Sequence, residues 1–562
     1  MEGLLVGLNA SFSHTNLAIR LLQAVARSPV DFLEFTINQE EALILEAILD
    51  RQPKYIFWSC YIWNMEKIRA LSESLALIDP GLSQWLGGPE VSFDGQTFLE
   101  DMPWIQGVIL GEGEVTFPKL LEALEGERSL REVPDLVYRE RGRVHQTPFL
   151  NEKLPMDKMP RLDYQGEDLT HKILYYEGMR GCPYKCSYCL SSRDNQVRLR
   201  STDLLKEDMG LLFRTGSRQI KFIDRTFNLD KARSLDILDF FIQEAPQGIN
   251  IHFEVTLELL DPDIIHRLKK APPGLFQIEA GIQTTSPQVL DHIHRKNDLK
   301  KAKEVMDSLD EAQKMHRHLD LIIGLPGETL DTFKKSFDDV YQLGPEKIQV
   351  GFLKLLRGTE LRDRAPEFGI KYLNKAPYEV LRTDSLSGRD ILFLKNFAHI
   401  IEDYYDDQVF KRTNGLLMAL KGLRPSGLFW SLTEFLKEED LVYAGRKGPR
   451  LFINYWAFIK NQVQDPEERA QVYEALKEDF YMAHNRYIGH VLDLDDQELP
   501  NRAIVDWLED LGPQVQEAQG FSRRDISRNI RGIVLARQKK ELLIVYKDHK
   551  YHCHFEREAK SS

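Results

Sequence analysis

Cysteine is scarce in this chain, which has only five among 562 residues. A disulfide framework needs many paired cysteines, so a disulfide-stapled secreted protein is excluded and a reducing compartment is favoured. Long hydrophobic runs are also missing, since no uninterrupted apolar stretch approaches the roughly 18 residues that cross a membrane. The first residues lack the basic region of a signal peptide and predict a strand instead. These absences predict a cytoplasmic protein with no membrane partner.

Positive charge is in the minority, because 74 Lys and Arg face 87 Asp and Glu and the formal net charge is −13. Residues 518–562 reverse this balance with eleven basic and five acidic residues. An acidic body with a basic tail suggests an anionic partner for the tail, and an ordinary solvated surface is the alternative. A chain of this length is too long for one core, so two to four domains are expected.

Three of the five cysteines are crowded into the run Gly-Cys-Pro-Tyr-Lys-Cys-Ser-Tyr-Cys, where Cys182, Cys186 and Cys189 have the spacing C-x3-C-x2-C. Thiolates are soft ligands that hold iron–sulfur clusters or zinc. A structural site of either kind usually has four protein ligands, but Cys60 and Cys553 lie far away and belong to no second motif. Three thiolates on a [4Fe-4S] cluster leave one iron open to a small molecule. A zinc site completed by a histidine is the alternative.

The first 145 residues alternate short apolar runs with helical segments, which is typical of a doubly wound parallel sheet. Ligands of such sheets bind beyond the carboxyl ends of the strands. Those ends are rich in polar residues and in glycines, which let a backbone approach a bulky planar ligand closely. We therefore predict a binding site there, with a purely structural domain as the alternative. The candidate contacts are Ser11, His14, Ser59, Tyr61, Gly87, Gly88, Gly111, Glu112 and Gly113.

Residues 146–172 contain Pro155, Asp157, Pro160 and Asp163 and are predicted to form a linker. Strand and helix patterns then alternate at a spacing of about 30 residues, as βαβ units do. Polar residues at the carboxyl ends of such strands are the candidate site residues. Six strands are predicted, at Ile173–Gly178, Ile220–Ile223, Ile251–Thr256, Phe276–Ala280, His318–Ile323 and Lys347–Phe352.

The cysteine spacing resembles the signature of radical S-adenosylmethionine (SAM) enzymes, in which SAM chelates the open iron. The segments Gly-Gly-Pro-Glu and Gly-Glu-Gly-Glu, in a doubly wound domain before that signature, make residues 1–375 resemble cobalamin (B12)-dependent radical SAM enzymes. The resemblance implies an α/β fold, with a Rossmann-like cobalamin-binding domain at 1–145 and a partial (β/α)6 barrel at 173–375. The sequence has no Asp-x-His-x-x-Gly motif to give cobalt a histidine. His14, the only histidine in residues 1–144, is expected to be a loop or phosphate/amide contact instead.

The same resemblance implies roles for residues of the barrel. Tyr188 matches an aromatic position that lies along the adenine of SAM. Asp224 and Arg225 stand where SAM's amino group and carboxylate are bound, although a strand-end salt bridge or a helix cap by Asn228 is the alternative there. The other implied contacts are Glu254 to SAM, Glu279 and Gln283 to the ribose or the substrate, and Gly324 to the adenine.

Residues 376–562 resemble the C-terminal region of a poorly characterised B12/radical SAM subgroup, a resemblance that names no substrate. The pattern predicts a mostly helical domain that ends in a three-stranded meander over 532–555. Alternation along the last strand turns Cys553 away from His552 and His554, which argues against a metal site. Basic residues such as Arg523, Arg524 and Arg528 with interleaved aromatics suit tRNA, and a solvated charged domain is the alternative.

By this resemblance we expect an enzyme that uses a [4Fe-4S] cluster, SAM and cobalamin, with a flavodoxin- or ferredoxin-like electron donor. It would make a 5′-deoxyadenosyl radical and methylate an unactivated carbon through methylcobalamin, with tRNA as a candidate substrate. Radical rearrangement or cyclisation of a small molecule or peptide is the alternative. A non-catalytic cobalamin- or RNA-binding protein is a third hypothesis, against which the intact cysteine triplet argues.

Overall fold

The computed structural model describes residues 3–162, 164, 166–310, 315–444, 448–483, 497–498, 507, 530–535, 540–547 and 550–558. The chain divides into two compact units, Met1–Phe333 with Gly351–Ile391 and Lys334–Val350 with Leu392–Ser562. In the described ranges no helix combines the length and the apolar character needed to cross a membrane.

The first unit begins with a sheet whose strands alternate with helices. Its elements are β1 (Gly3–Asn9), α1 (Leu17–Val25), β2 (Val30–Thr36), α2 (Glu41–Leu49), β3 (Tyr55–Ser59), α3 (Met65–Ile78), β4 (Ser83–Gly87), α4 (Gly95–Asp101), β5 (Gly107–Ile109), α5 (Gly113–Leu124), β6 (Leu136–Glu140) and β7 (Arg143–Gln146).

This N-terminal sheet has the strand order β2-β1-β3-β4-β5-β6-β7. The pairs among β1 to β5 are parallel, and β6 and β7 add an antiparallel hairpin. Every residue of β1 and β3 is buried, which explains their continuous apolar sequences. The order 2-1-3-4-5 confirms the predicted doubly wound topology, whose ligand crevice lies where the order reverses, between β1 and β3.

The first unit continues with a second sheet, and the chain then crosses into the second unit and back. The elements are β8 (Ile173–Tyr176), β9 (Met179–Arg180), β10 (Arg198–Leu199), α6 (Thr202–Leu212), β11 (Gln219–Phe222), α7 (Lys231–Glu244), β12 (Asn250–Glu254), α8 (Pro262–Lys270), β13 (Phe276–Gln283), α9 (Pro287–His292), α10 (Leu299–Asp310), β14 (His316–Ile323), α11 (Leu330–Gln342), β15 (Lys347–Phe352), α12 (Glu360–Asp363), β16 (Lys371–Tyr372) and β17 (Val380–Arg382).

The six predicted strands of this region all occur, in the order β8-β11-β12-β13-β14-β15. The pairings from β8 to β14 are parallel. Burial alternates along β13, so that one face packs on helices while Gln277, Glu279, Gly281 and Gln283 lie on the other. Polar residues of neighbouring strands share this second face. We call it the polar face, and its charged members are Lys221, His252, Glu254, Glu279, His318 and Asp320.

The second unit is mostly helical and ends in a small sheet, as predicted. Its four strands are antiparallel in the order of the chain, one more than expected because Gln497–Glu498 adds a short edge strand. The predicted RNA contacts Arg523, Arg524 and Arg528 lie outside the described residues. The elements are α13 (Gly388–Tyr404), α14 (Lys411–Lys421), α15 (Pro425–Glu438), α16 (Pro449–Gln462), α17 (Pro466–Ala483), β18 (Gln497–Glu498), β19 (Ile530–Leu535), β20 (Lys540–Lys547) and β21 (Lys550–Glu558).

Candidate functional site

The three predicted cluster ligands lie in one loop, between the short antiparallel strands β9 and β10. Cys182 and Cys186 are buried and Cys189 is half-buried. The Cys182 N–H donates to the carbonyl of Asp194 at 3.0 Å, and the Cys189 N–H donates to the carbonyl of Cys186 at 3.1 Å. Gly181 starts the loop with φ +86°, and a Cβ there would collide with the Gln196 carbonyl. The backbone therefore holds the three cysteines in one short, well-defined loop.

The three thiols affect one another's ionisation. Burial raises the pKa of the Cys182 thiol, the Tyr184 backbone N–H lowers it, and Cys189 and Cys186 raise it further while Arg225 opposes them. A group of thiols that oppose one another's ionisation in this way would be stabilised as thiolates by a bound metal centre.

Arg295 contacts this loop and was not predicted from the sequence. Its Nη1 lies 3.8 Å from Cys186 Sγ, its Nη2 donates to the Gly281 carbonyl, and its Nε donates to Asn297 Oδ1 at 3.2 Å. Burial raises the pKa of the Tyr188 phenol, and the neighbouring Arg295 opposes that shift. Arg295 thus joins the cysteine loop, the predicted adenine contact and the end of β13. It follows α9 without any motif, so no pattern in the sequence indicates it.

Asp224 anchors the strand from which the cysteine loop starts. Its Oδ1 accepts hydrogen bonds from the backbone N–H groups of Gly178 at 2.7 Å and Met179 at 3.0 Å. Burial raises the pKa of this carboxyl to about 7. The next residue, Arg225, donates from Nη1 to Glu254 Oε2 at 3.4 Å, at the carboxyl end of β12. One oxygen of Asp224 is therefore already bound to backbone, while Arg225 and Glu254 face each other at the strand ends.

Glu279 lies at the centre of the polar face. Its Oε2 is 3.1 Å from Lys221 Nζ, 3.0 Å from His252 Nε2 and 3.9 Å from His318 Nδ1. Burial opposes ionisation of this carboxyl, but His252, Lys221 and His318 together lower its pKa. Glu279 is therefore stabilised as an anion by the three basic side chains around it.

The ends of β13 and β14 carry the two remaining predicted barrel contacts. Gln283 has φ +67° beside a register shift, and its buried Oε1 has no hydrogen-bond partner among the described residues. Such strain in a residue other than glycine is typical of functional sites. Gly324 has φ +86°, donates its N–H to Glu328 Oε2 at 2.8 Å, and would place a Cβ 2.7 Å from Val380. Only glycine fits there without movement of β17.

In the N-terminal sheet, the predicted glycines form a close-packed edge. Gly88 has φ +114°, and a Cβ there would lie 2.5 Å from the Cys60 carbonyl. Gly87 accepts the Cys60 N–H at 2.7 Å, and Gly111, with φ +70°, donates to Ser92 Oγ at 3.1 Å. Gly113 begins α5, where a Cβ would lie 3.0 Å from Leu22. Backbone, not side chains, therefore lines this part of the edge.

The loops after β1 and β3 supply the polar members of that edge. Ser11 Oγ lies 2.9 Å from Ser13 Oγ, and Ser59 is the buried last residue of β3. The Tyr61 and Trp63 rings stack at a centroid distance of 4.3 Å, and burial raises the pKa of Tyr61 to about 12. These two loops flank the crevice between β1 and β3.

His14 joins the two sheets of the first unit. Its Nδ1 shares a hydrogen bond with Tyr175 Oη, the two rings stack at 5.8 Å, and its backbone bridges to Ile173 at the start of β8. Burial lowers the pKa of the imidazole, and Lys221 and Lys172 lower it further. The His14 ring is therefore engaged with Tyr175, and its role as a loop contact stays a prediction.

Glu112 joins the same two sheets through ion pairs. Its carboxylate lies 2.7 Å from Arg180 Nη1 and also pairs with Arg198. Arg180 reaches Glu114 at 2.5 Å and Glu177 at 2.8 Å as well. Arg180 and Arg198 belong to β9 and β10, the strands that frame the cysteine loop. This Arg180 network therefore ties the Gly-Glu-Gly-Glu loop of the N-terminal sheet to the base of the cysteine loop.

The fold and the site together define a class of protein. A doubly wound sheet presents a glycine-lined crevice, and its loops contact a parallel sheet that carries a three-cysteine loop. Two sites for large cofactors thus lie in one compact unit.

Family models give that class its name. Residues 3–121 match the B12 binding domain, residues 176–340 match the radical SAM superfamily, and residues 366–535 match a protein family of unknown function, DUF4080. The chain belongs to the radical SAM proteins that carry a B12 binding domain. The predicted cofactors, a [4Fe-4S] cluster, SAM and cobalamin, are those of the first two families.

Two curated relatives and one solved structure illustrate the similarity. An uncharacterized methyltransferase of Pyrococcus horikoshii is 28% identical over 295 residues, which cover 50% of this chain and 62% of the relative. An anaerobic magnesium-protoporphyrin IX monomethyl ester cyclase of Rubrivivax gelatinosus is 21% identical over 485 residues, which cover 79% of this chain and 83% of the relative. The structure of the radical SAM methyltransferase TsrM from Kitasatospora setae matches with a TM-score of 0.59 and 15% identity, and covers 78% of this chain and 98% of TsrM.

These matches are partial. The chain spans 51–62% of the length of the first curated methyltransferases that it matches. The TsrM structure is distant in sequence, so it establishes the fold alone.

Proposed function

We propose that this chain is a cobalamin-dependent radical SAM methyltransferase that methylates an unactivated carbon. The observation that carries the proposal is the Arg180 network, which ties the loops of a B12 binding domain to a C-x3-C-x2-C loop. We assign cobalamin binding to 1–145, a linker to 146–172, the SAM and cluster barrel to 173–375, and substrate or partner binding to 376–562. A small electron donor of the flavodoxin or ferredoxin type would supply the reductant.

In this proposal the residues around the cofactors hold and orient them. Cys182, Cys186 and Cys189 ligate the cluster, and Arg295 beside Cys186 offsets the negative charge of the thiolates. Asp224 fixes the start of the loop, and Tyr188, Arg225, Glu254, Gln283 and Gly324 line the SAM site. Ser11, Ser59, Tyr61, Gly87, Gly88, Gly111 and Gly113 form the edge that faces cobalamin. When bound, these cofactors supply reductive cleavage of SAM and a transferable methyl group.

Anaerobic purification with hydroxocobalamin tests the proposal. We expect about four irons and one cobalt per chain, as three cluster ligands and a B12 domain imply. Cys186→Ala should abolish iron binding, while Cys60→Ala, which removes a buried thiol outside the triplet, should retain it. After reduction with SAM, the wild type should release 5′-deoxyadenosine and S-adenosylhomocysteine. Full iron loading without either product would contradict the assignment as an enzyme.

tRNA is the substrate that we propose testing first. Its support is the basic tail, where eleven lysines and arginines face five acidic residues between 518 and 562. Replacing Arg523, Arg524 and Arg528 together with Ala should weaken tRNA binding and flatten its salt dependence, because fewer phosphates are neutralised. Lys300→Ala is the control, since Lys300 is an exposed cation outside the tail. Unchanged binding of the triple variant would remove tRNA from the proposal.

Ring formation is the second candidate reaction, because the cyclase relative matches over far more of both chains than the methyltransferase relative does. SAM with a deuterated methyl group separates the two reactions. Methyl transfer places the label in the product, whereas cyclisation gives an unlabelled product that has lost two hydrogens.

A further inference from the structure

Four potential metal ligands, none of them a cysteine, converge on the polar face. Glu279, His318 and Asp320 each offer one ligand atom, and these atoms lie within 4.8 Å of one another. His252 Nε2 is 3.0 Å from Glu279 Oε2, which adds a fourth donor. The four residues come from the adjacent parallel strands β12, β13 and β14, so regular backbone fixes their relative positions.

The separations of these atoms suit ligands around one ion. His252 Nε2 lies 3.0 Å from Glu279 Oε2. His318 can give an ion only one ring nitrogen, and its Nδ1 lies 3.9 Å from Glu279 Oε2 while its Nε2 lies 3.3 Å from Asp320 Oδ1. With one ligand atom taken from each of Glu279, His318 and Asp320, all three lie within 4.8 Å of one another. Ligands about 2.1 Å from a tetrahedral ion are about 3.4 Å apart. Small adjustments of side chains would therefore bring the donors around one ion.

Two of the donor atoms are buried and poorly hydrogen-bonded within the described part of the chain. His252 Nε2 is 3.0 Å from Glu279 Oε2 but does not reach it in good hydrogen-bond geometry, and the His252 side chain is only 7% exposed. Asp320 Oδ1 is also buried without a hydrogen bond of good geometry among the described residues, although His318 Nε2 lies 3.3 Å away. A buried polar atom without a hydrogen bond is costly. Coordination to a metal would satisfy both atoms.

The charges of the polar face also leave room for a cation. Glu254 pairs with Arg225 and Glu279 pairs with Lys221, while the ion-pair contact found for Asp320 among the described residues is with His318 Nε2 at 3.3 Å. Lys221, 3.1 Å from Glu279, is the side chain that would compete with a bound ion.

We propose that His252, Glu279, His318 and Asp320 bind one divalent transition-metal ion, distinct from the cluster and from cobalt. A mixed set of imidazole and carboxylate donors suits Mn2+, Fe2+ or Zn2+. Four protein ligands are typical of a structural ion, so the ion would hold β12, β13 and β14 together beneath the cofactor loops.

A Mn2+ titration of the loaded protein, followed by electron paramagnetic resonance, tests the proposal. The cluster is kept oxidised and cobalamin is kept as cobalt(III), because both are then silent. We expect one Mn2+ per chain, which stoichiometric Zn2+ displaces, as the order of affinities requires. Glu279→Gln and Asp320→Asn should each weaken Mn2+ binding by about tenfold or more, since each loses a charged ligand.

Two further variants sharpen the test. Glu254→Gln removes a carboxylate of the same face that is not a ligand, and Mn2+ affinity should stay within about twofold. Lys221→Gln removes the competing cation and should tighten binding by about tenfold. Iron content of each variant checks that the barrel still folds. The proposal is overturned if the wild type binds no Mn2+, or if Glu279→Gln and Asp320→Asn both bind it as the wild type does.

Discussion

The two sheets of the first unit hold their functional residues in opposite ways. Strands β1 and β3 of the N-terminal sheet are buried on both faces, so this sheet offers a ligand only its edge, where glycine backbone and loops gather. Strand β13 of the second sheet alternates, and it carries charged residues on a full face as well as at its end. One site therefore depends on the absence of side chains, and the other depends on charged side chains that hold each other. Added bulk should therefore disrupt the glycine edge of the N-terminal sheet, and removal of a charge should disrupt the polar face of the second sheet.

The largest effect is expected where charge joins the two sheets. Arg180→Met leaves Glu112, Glu114 and Glu177 without their shared cation in a largely buried position, where Arg180 is 13% exposed. Breaking a buried pair costs about 3–5 kcal/mol. The loss should appear as a lower midpoint of urea unfolding at pH 7.5, and it should shrink at acidic pH as the glutamates are protonated.

A matched variant tests whether burial is the cause. Arg131 pairs with Glu140 at the surface, where it is 70% exposed. Arg131→Met should leave the midpoint of urea unfolding almost unchanged, because solvent screens an exposed pair. Equal effects of the two variants would contradict the role given to the Arg180 network.

A somewhat smaller effect is expected from added bulk at the glycine edge. Gly88→Ala puts a methyl group 2.5 Å from the Cys60 carbonyl at φ +114°, which should cost about 2–4 kcal/mol and weaken cobalamin binding. Gly126 also has a positive φ, but a Cβ there meets nothing within 4 Å. Gly126→Ala should cost about 1 kcal/mol and leave cobalamin binding intact. Spectroscopic titration with hydroxocobalamin separates the two variants, and similar affinities would refute the steric argument.

Removing the cation beside Cys186 should change the cluster without removing it. Arg295→Ala takes a positive charge from a position 3.8 Å from Cys186 Sγ, so the oxidised cluster is favoured. We expect the midpoint potential to fall by about 60 mV, roughly tenfold in a one-electron equilibrium. A redox titration monitored by electron paramagnetic resonance measures the shift. The exposed Arg193 of the same loop is the control, and a shift of similar size in Arg193→Ala would show that the contact is not responsible.

A carboxyl whose charge depends on pH is expected to give the smallest effect over any single pH unit. The pKa of Asp224 is raised to about 7 in the folded chain, above its ordinary value of about 3.8. The folded state thus binds the proton more tightly, so its contribution to stability is complete below about pH 4 and is lost as pH rises towards 7. Asp224→Asn keeps an acceptor for Gly178 and removes the charge.

Asp224→Asn should therefore gain stability relative to the wild type between pH 4 and 7, by at most about 1.4 kcal/mol per pH unit. Urea unfolding at several pH values measures the difference. Asp479→Asn, in the second unit, is a comparison variant for the same pH series, because burial also raises the pKa of Asp479 to about 7. A constant difference between Asp224→Asn and the wild type would contradict the assigned pKa.

The sequence predicted the strands whose apolar runs are continuous, and it missed those whose patterns are mixed. Strand β2 lies at the edge of the sheet and contains Asp31 and Glu34, so it lacks the continuous apolar run that predicts a buried strand. The cysteine loop was predictable because its ligands are adjacent in sequence. Arg295 and Arg180 were not, because their contacts with Cys186, Gly281, Glu112 and Glu114 join residues that are between 14 and 109 positions apart. Local patterns thus indicated which cofactors to expect, whereas the side chains that join their sites emerged only from the folded chain.

The pairing of Arg180 and Arg198 with Glu112 and Glu114 bears on how such chains can be recombined. A cobalamin domain grafted from a relative would bring its own loop after β5, and Arg180 and Arg198 would then lose Glu112 and Glu114 and keep only Glu177 and Asp194 as partners. A working hybrid should therefore take Glu112, Glu114, Arg180 and Arg198 together from one parent, although the two pairs lie in different parts of the chain. If both arginines were replaced with glutamate and both glutamates with arginine, the ion pairs would be kept with reversed charges. Each altered domain would then pair with the other altered domain and not with the natural one.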